Sequence, residues 1–190
     1  MEEVLHTDTT RHLLTESLKR LMVQKPLNKI SIREITEGCG VNRQTFYYHF
    51  DDVYDLLEWV FEEDANRVLP SEIYYEKWKE NVSVFFRYLE DNRTFVLNIF
   101  NSQNRAYLLR YLKRRLHLVY HAFAAIVAEG QNVEWGDFEF ICDFYVNGIV
   151  GIIAQWCDIG MPEIDENTKV RFYKILDNST ENLLARFKKD

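Results

Sequence analysis

A chain of 190 residues is ample for one buried core, or for a small domain beside a larger one. Its 47% hydrophobic and 28% charged residues exclude a disordered polymer, and with 7 Gly, 3 Pro and no strictly alternating β-branched run, helix is the default element. A net charge of -7 speaks against nucleic acid until the chain is divided: residues 1–50 hold seven Lys and Arg against six Asp and Glu, residues 51–190 hold 16 against 24. Charges are screened beyond roughly 10 Å, so phosphate binding depends on a local patch and the total excludes little.

The opening MEEVLHTDTT lacks the basic start and apolar run of an export signal. Leu13, Leu14, Leu18, Leu21 and Met22 make one apolar stripe and predict a first helix over 10–24, stopped by Pro26. Ser31 and Glu34 then have capping-box spacing, which predicts a short helix from Ile32 to about Glu37. Gly38 and Gly40 suit a tight turn, where positive φ disfavours side chains. Asn42 can cap the next helix, Arg43 to Phe50. Two short helices joined by a turn, with Ile32, Ile35, Val41, Phe46 and Phe50 available to lock them to the first helix, form a helix-turn-helix pattern.

Within RQTFYYHF, the step of about 100° per residue puts Phe46 and Phe50 on one stripe and Gln44 and Tyr48 opposite, so half of the segment has no core to enter. Asp51 and Asp52 offer a fresh N-cap to VYDLLEWVFEEDANRVL, whose inner face is Leu56, Leu57, Val60 and Phe61 and which Pro70 closes. Further helices are predicted at 74–90, 93–101, 104–129, 137–158 and 166–188, giving an all-α chain of about nine helices. Residues 138–156 are apolar nearly all round, and Gly148 and Gly151 there cost about 1 kcal/mol each relative to Ala, which close approach by a neighbouring helix would explain. The run 144–156 falls short of the about 20 residues that cross a bilayer and contains Asn147 and Gln155, so no membrane partner is expected. Cys39, Cys142 and Cys157 are odd in number and lack C-x-x-C spacing, which fits free thiols in a reducing cytoplasm.

The segment from Arg11 to Trp59, centred on ISIREITEGCGVNRQTFYYHF, resembles the DNA-binding region of the TetR family of bacterial transcriptional regulators, with cap, turn, Thr-Phe-Tyr and His-Phe in register. A W-x-x-x-G at Trp156 to Gly160 adds a shorter likeness. The resemblance implies a three-helix DNA-binding domain, residues 1–50, followed by a larger helical domain, residues 51–190, that dimerises and often binds a small ligand. It implies Arg43, Gln44, Thr45 and Tyr48 in the major groove, where Arg and Gln read purine edges and Thr can touch a thymine methyl. Tyr47 and His49 then contact phosphates, Arg33 reaches a base or phosphate, and Asn42 sits at the N-cap of the reading helix. Many relatives place a lysine at the start of the fourth helix to clamp a phosphate; this chain has Val53 there.

The expected partners are an operator duplex, a second copy of the chain, and a small ligand or protein of unknown identity, with repression released by ligand as the family's commonest mode. Phe85, Tyr88, Phe123, Tyr145, Asn147 and Trp156 are candidates to line a pocket, and Ile149, Ile152, Ile153, Phe172, Leu176, Leu183 and Phe187 to face a partner chain. Two alternatives stay open. LLEWVFE resembles regulators of dihydroxyacetone kinase operons, which would imply an activator controlled by a protein partner; His117 and His121, spaced i,i+4, would suit a metal-responsive regulator. No G-x-S-x-G, Walker sequence or paired zinc motif is present, so neither a cofactor nor an enzyme is expected.

Overall fold

The structure is a computed structural model and describes residues 2–68 and 75–188, with side chains described for 9–68 and 76–188; the predicted stop at Pro70 and the predicted helix start at 74 lie outside these. The helices are α1 (Glu2–Gln24), α2 (Ile32–Cys39), α3 (Arg43–His49), α4 (Val53–Val68), α5 (Trp78–Asp91), α6 (Arg93–Phe100), α7 (Arg105–Val127), α8 (Trp135–Asp158), α9 (Glu166–Leu176) and α10 (Ser179–Arg186). No strand is present among the described residues beyond an isolated bridge between Val133 and Lys188, so the chain is all-α. Two compact units result: residues 1–67 with 92–105, and residues 68–91 with 106–190. The first unit therefore runs past the division expected at residue 50 and takes in most of α4 and all of α6.

In the first unit, α1 buries Leu14, Leu18 and Met22, while Leu13 turns outward. Polar ties then fix its neighbours: the buried Ser17 hydroxyl donates to the Ile35 carbonyl at 2.7 Å and Arg20 donates to the Gly38 carbonyl at 2.8 Å. Gly38 lies inside α2 and not in the turn; a Cβ at this position would fall against the Ser17 hydroxyl, so close helix approach, not positive φ, requires glycine there. Toward α4, Lys19 pairs with the buried Asp64 at 2.6 Å and the Arg11 guanidinium lies 4.5 Å from the Trp59 ring centre. From α6, the Asn98 amide donates to the Met22 and Lys25 carbonyls at 2.9 and 3.0 Å and accepts from the Leu27 N–H at 3.3 Å, which satisfies the otherwise open end of α1.

In the second unit, α8 buries Phe138, Ile141, Cys142, Val146, Ile153, Trp156 and Cys157. The W-x-x-x-G closes this helix: Gly160 has φ 82°, the Met161 N–H donates to the Trp156 carbonyl at 2.8 Å, and the Trp156 indole N–H donates to Pro162 O at 2.8 Å. The single terminal helix expected over 166–188 is instead two, α9 and α10. They are broken where Asn178 takes φ 56°, a left-handed conformation Asn tolerates, next to Asp177, which pairs with Lys79 at 3.2 Å. At 24 residues, α8 is long and apolar enough by length and composition to cross a bilayer, so the length argument built on 144–156 does not apply to the whole helix.

Candidate nucleic-acid interface

Local chemistry fixes the geometry of α2 and α3. The Ser31 hydroxyl accepts from the Glu34 N–H at 3.3 Å and Glu34 Oε2 accepts from the Ser31 N–H at 3.0 Å, a complete capping box. Lys25 donates to the other Glu34 oxygen at 2.5 Å, and this bond, followed by those to Ser31, holds the Glu34 carboxyl down at about 2. Gly40 ends α2 at φ 73° and the Val41 N–H turns back to the Thr36 carbonyl at 3.1 Å. Asn42 Oδ1 then accepts both the Thr45 N–H at 2.8 Å and the Thr45 hydroxyl at 3.1 Å, which starts α3.

The two sides of α3 separate as its helical period requires. Phe46 is fully buried and Phe50 nearly so, their ring centres 5.9 Å apart. On the other side Arg43 and Gln44 are exposed, as are Tyr47 at 51% and Tyr48 at 75%. Thr45 is half-buried with its hydroxyl engaged by Asn42, which leaves its methyl as the group suited to a thymine contact. His49 is half-buried; its Nδ1 is closed to solvent and has no hydrogen-bond partner among the described residues. Burial first, and then the charge of Arg11, hold His49 below the usual histidine range, so the ring is neutral at pH 7 and brings at most an N–H, without charge, to a phosphate. Exposed Arg33 donates to Glu37 at 2.7 Å, so reaching DNA requires it to exchange one anionic partner for another.

Carboxylates cap the start of α4, where Val53 stands in place of lysine. Asp52 Oδ1 accepts the N–H groups of Tyr54 and Asp55 at 2.7 and 3.0 Å, and Asp55 accepts that of Asp51 at 3.0 Å. The N–H groups at this helix end are satisfied by the chain's own carboxylates.

The residues singled out in the second unit are regrouped by the structure. Phe85 and Phe123 line a cavity of about 120 Å³ together with Trp78, Phe86 and Tyr120. The other pocket candidates do not line it: Tyr145 stacks on Tyr120 at 5.1 Å, Trp156 packs edge-on against Phe86, Asn147 is exposed, and Tyr88 lies outside the lining set. Three dimer candidates, Ile149, Phe172 and Leu176, line this cavity instead, and Ile153 is 3% exposed and belongs to its own chain's core. Leu183 is half-buried, while Ile152 and Phe187 are exposed.

Sequence reasoning missed Phe140 and Phe144, exposed at 69% and 63%. Their i,i+4 spacing from each other and from Gly148 and Ile152 was the available signal, for it defines a stripe opposite Cys142, Val146 and Ile153. His121 Nε2 lies 3.0 Å from Glu139, and His117 Nε2 lies 3.7 Å from Glu139 and 4.0 Å from Asp143, so both histidines face carboxylates of α8. Among the described residues no group of three or more His, Cys, Asp or Glu is arranged to hold a metal ion.

Comparison with known proteins agrees with this geometry. Residues 14–60 match the family described as "Bacterial regulatory proteins, tetR family", and residues 76–178, more than half of the chain, match "Transcriptional regulator C-terminal region". The chain is 25% identical over 151 residues to the HTH-type dhaKLM operon transcriptional activator DhaS of Lactococcus lactis subsp. lactis, covering 77% of this chain and 78% of that protein. It is 32% identical over 69 residues to the HTH-type transcriptional regulator AcrR of Shigella flexneri, covering 36% of this chain and 32% of the relative. A solved structure of the dihydroxyacetone kinase operon activator DhaS shares the fold with a TM-score of 0.70 at 22% identity, over 95% of this chain and 98% of that one. With α2 and α3 built as a capped helix-turn-helix and both parts of the chain matched, this protein belongs to the TetR family of transcriptional regulators.

Proposed function

We propose that this regulator binds a near-palindromic duplex operator as a homodimer in the cytoplasm, each copy placing α3 in one major groove, with the two groove sites about 34 Å apart or somewhat more. The observation that carries the reading is the division of α3, whose rings at 46 and 50 are buried while Arg43, Gln44 and Tyr48 are exposed. Arg43 and Gln44 read base edges, Thr45 and Tyr48 add apolar and hydroxyl contacts, and Tyr47, His49 and Arg33 serve the backbone, with Asn42 holding the helix start. Residues 1–50 are the reading part; residues 51–190 carry dimerisation and the response to a signal.

The outward face of α8 supports the homodimer. Phe140, Phe144, Gly148, Gly151 and Ile152 are exposed along one stripe, and a Cβ added at either glycine meets nothing within 4 Å in its own chain. Exposed Phe rings beside bare backbone suit close packing of a second helix. Asp143, Asn147 and Gln155 on the same side disfavour lipid as the occupant. The cavity in the second unit supports release by a small ligand: a molecule that binds better when the two reading heads are wrongly spaced shifts the population away from DNA by that differential affinity.

Repression is the first reading of the sign of control. The likeness to DhaS, named as an operon activator, favours a second one, activation with the same DNA geometry. Sedimentation of the protein with a duplex selected from a random pool tests the core of the proposal. Two chains per duplex are expected, and one chain per duplex with no inverted repeat in the selected sequence contradicts it. A reporter carrying that duplex at its promoter then separates the signs, since deleting the regulator raises expression under repression and lowers it under activation.

A further inference from the structure

We infer that the cavity of the second unit takes a small uncharged ligand built on a single aromatic or similarly compact apolar ring, oriented by one hydrogen bond to the Asn81 amide. The inference rests on the reading above that this domain answers to a ligand, and adds which chemistry it admits.

Size, lining and one uncommitted polar group lead to this. The volume is about 120 Å³. Apolar protein cavities of about 150 Å³ hold a benzene molecule, so a single ring is the scale that fits inside the walls. The walls are Trp78, Phe85, Phe86, Phe123 and Phe172 with aliphatic side chains between them, and no Asp, Glu, Lys, Arg or His lines them. A carboxylate or ammonium seated against these walls would lose hydration with no counter-charge to replace it, which disfavours charged metabolites. A polyol would meet too few polar groups for its hydroxyls.

Three side chains provide polarity. Two of them satisfy each other, because the Tyr120 and Thr180 hydroxyls are bonded at 2.6 Å. The third, Asn81, is half-exposed and makes no hydrogen bond to the described residues, so its two donors and one acceptor are open to a ligand. An apolar cavity with one half-exposed, unengaged amide at its wall suits a ligand with one hydroxyl or carbonyl on a hydrophobic body, such as a simple phenol.

Calorimetry on the full-length protein with p-cresol, toluene, benzoate and glycerol tests the inference. The expected result is that p-cresol binds about tenfold more tightly than toluene, the effect of one good hydrogen bond, and that benzoate and glycerol bind far more weakly than either. In Asn81→Leu the preference for p-cresol over toluene should fall to about one while toluene binding persists. Val119→Phe, which fills the cavity, should weaken both rings at least about tenfold. Melting curves of the two variants establish that they are folded.

Failure to bind either ring, binding of benzoate as tight as that of p-cresol, or an unchanged preference in folded Asn81→Leu overturns the inference whatever happens to the DNA. Ring binding with the predicted preference but no change in operator affinity supports the ligand class and overturns the separate reading that ligand releases the operator.

Discussion

Helices α3 and α8 are built alike and differ in what they leave outside. Each buries one stripe in its own unit: Phe46 in α3, and Ile141, Val146 and Ile153 in α8. Outside, α3 shows an arginine, a glutamine and two tyrosines, while α8 shows two phenylalanines, an isoleucine and two glycines. Hydrogen-bonding side chains on a short capped helix suit base edges and phosphates, which are polar and stay partly hydrated. Phenyl rings beside bare backbone suit a dry, close-packed surface of the same kind. On the proposed reading the outward stripe of each helix suits its partner, DNA for α3 and a second copy for α8, while the inward stripe says only that the helix belongs to a core.

The comparison breaks first at α3. Phe46→Ala should cost about 3–5 kcal/mol of stability by leaving a cavity. Tyr48→Ala, two positions on and facing out, should stay within about 0.5 kcal/mol of the parent in a denaturant titration yet lose operator affinity. Equal destabilisation by the two would mean that the outward stripe is packed and not free to read DNA.

At α8 the prediction is reversed in kind. Phe144→Glu should leave each chain folded but weaken self-association by about 2 kcal/mol or more, seen as monomer in sedimentation at micromolar protein and as lost DNA binding. Parent-like dimerisation would place the partner elsewhere. Within the first unit, Gly38→Ala should cost about 1–3 kcal/mol, because the new methyl displaces the buried Ser17 hydroxyl from the Ile35 carbonyl. A neutral effect on melting would show that α1 and α2 have room to separate.

The smallest effect is expected with pH. Glu34 is held near 2 when folded, below its ordinary 4.5, by Lys25 and then Ser31. A carboxyl with a depressed folded value adds stability that is fully present above the unfolded value and disappears as pH falls through the folded one, so this part of the stability should fade from about pH 4.5 down to about 2. Glu34→Gln should flatten that part of the acid profile, and an unchanged profile would show that the bond to Lys25 does not persist in solution.

What could be read from the sequence followed the range of the interaction. The Ser31–Glu34 box, the left-handed Gly40 and the Asn42 cap act over three or four residues, and each stands where the spacing put it. Gly38 was misplaced because its neighbour is Ser17 on another helix, and nothing local distinguishes it from a turn glycine. Asn98 was invisible for the same reason, since its bonds join residues 71 to 76 positions away. On α8 and α9 periodicity revealed apolar stripes but not which one faces inward. Ile149 and Leu176, candidates to face a partner chain, line the cavity, and Phe140 and Phe144 are exposed. Both faces of α8 carry large apolar residues, and the outward one is marked only by Asp143, Asn147 and Gln155 between them, so periodicity did not single it out.

The most direct test of the account is selection of duplexes from a random pool by the parent and by Arg43→Ala, with affinities measured at fixed salt. The parent should select an inverted repeat. Arg43→Ala should relax base preference at one symmetric pair of positions and weaken binding by about 1–3 kcal/mol per half-site. A selected sequence identical for both proteins, at undiminished affinity, would contradict the assignment of α3 as the reading helix.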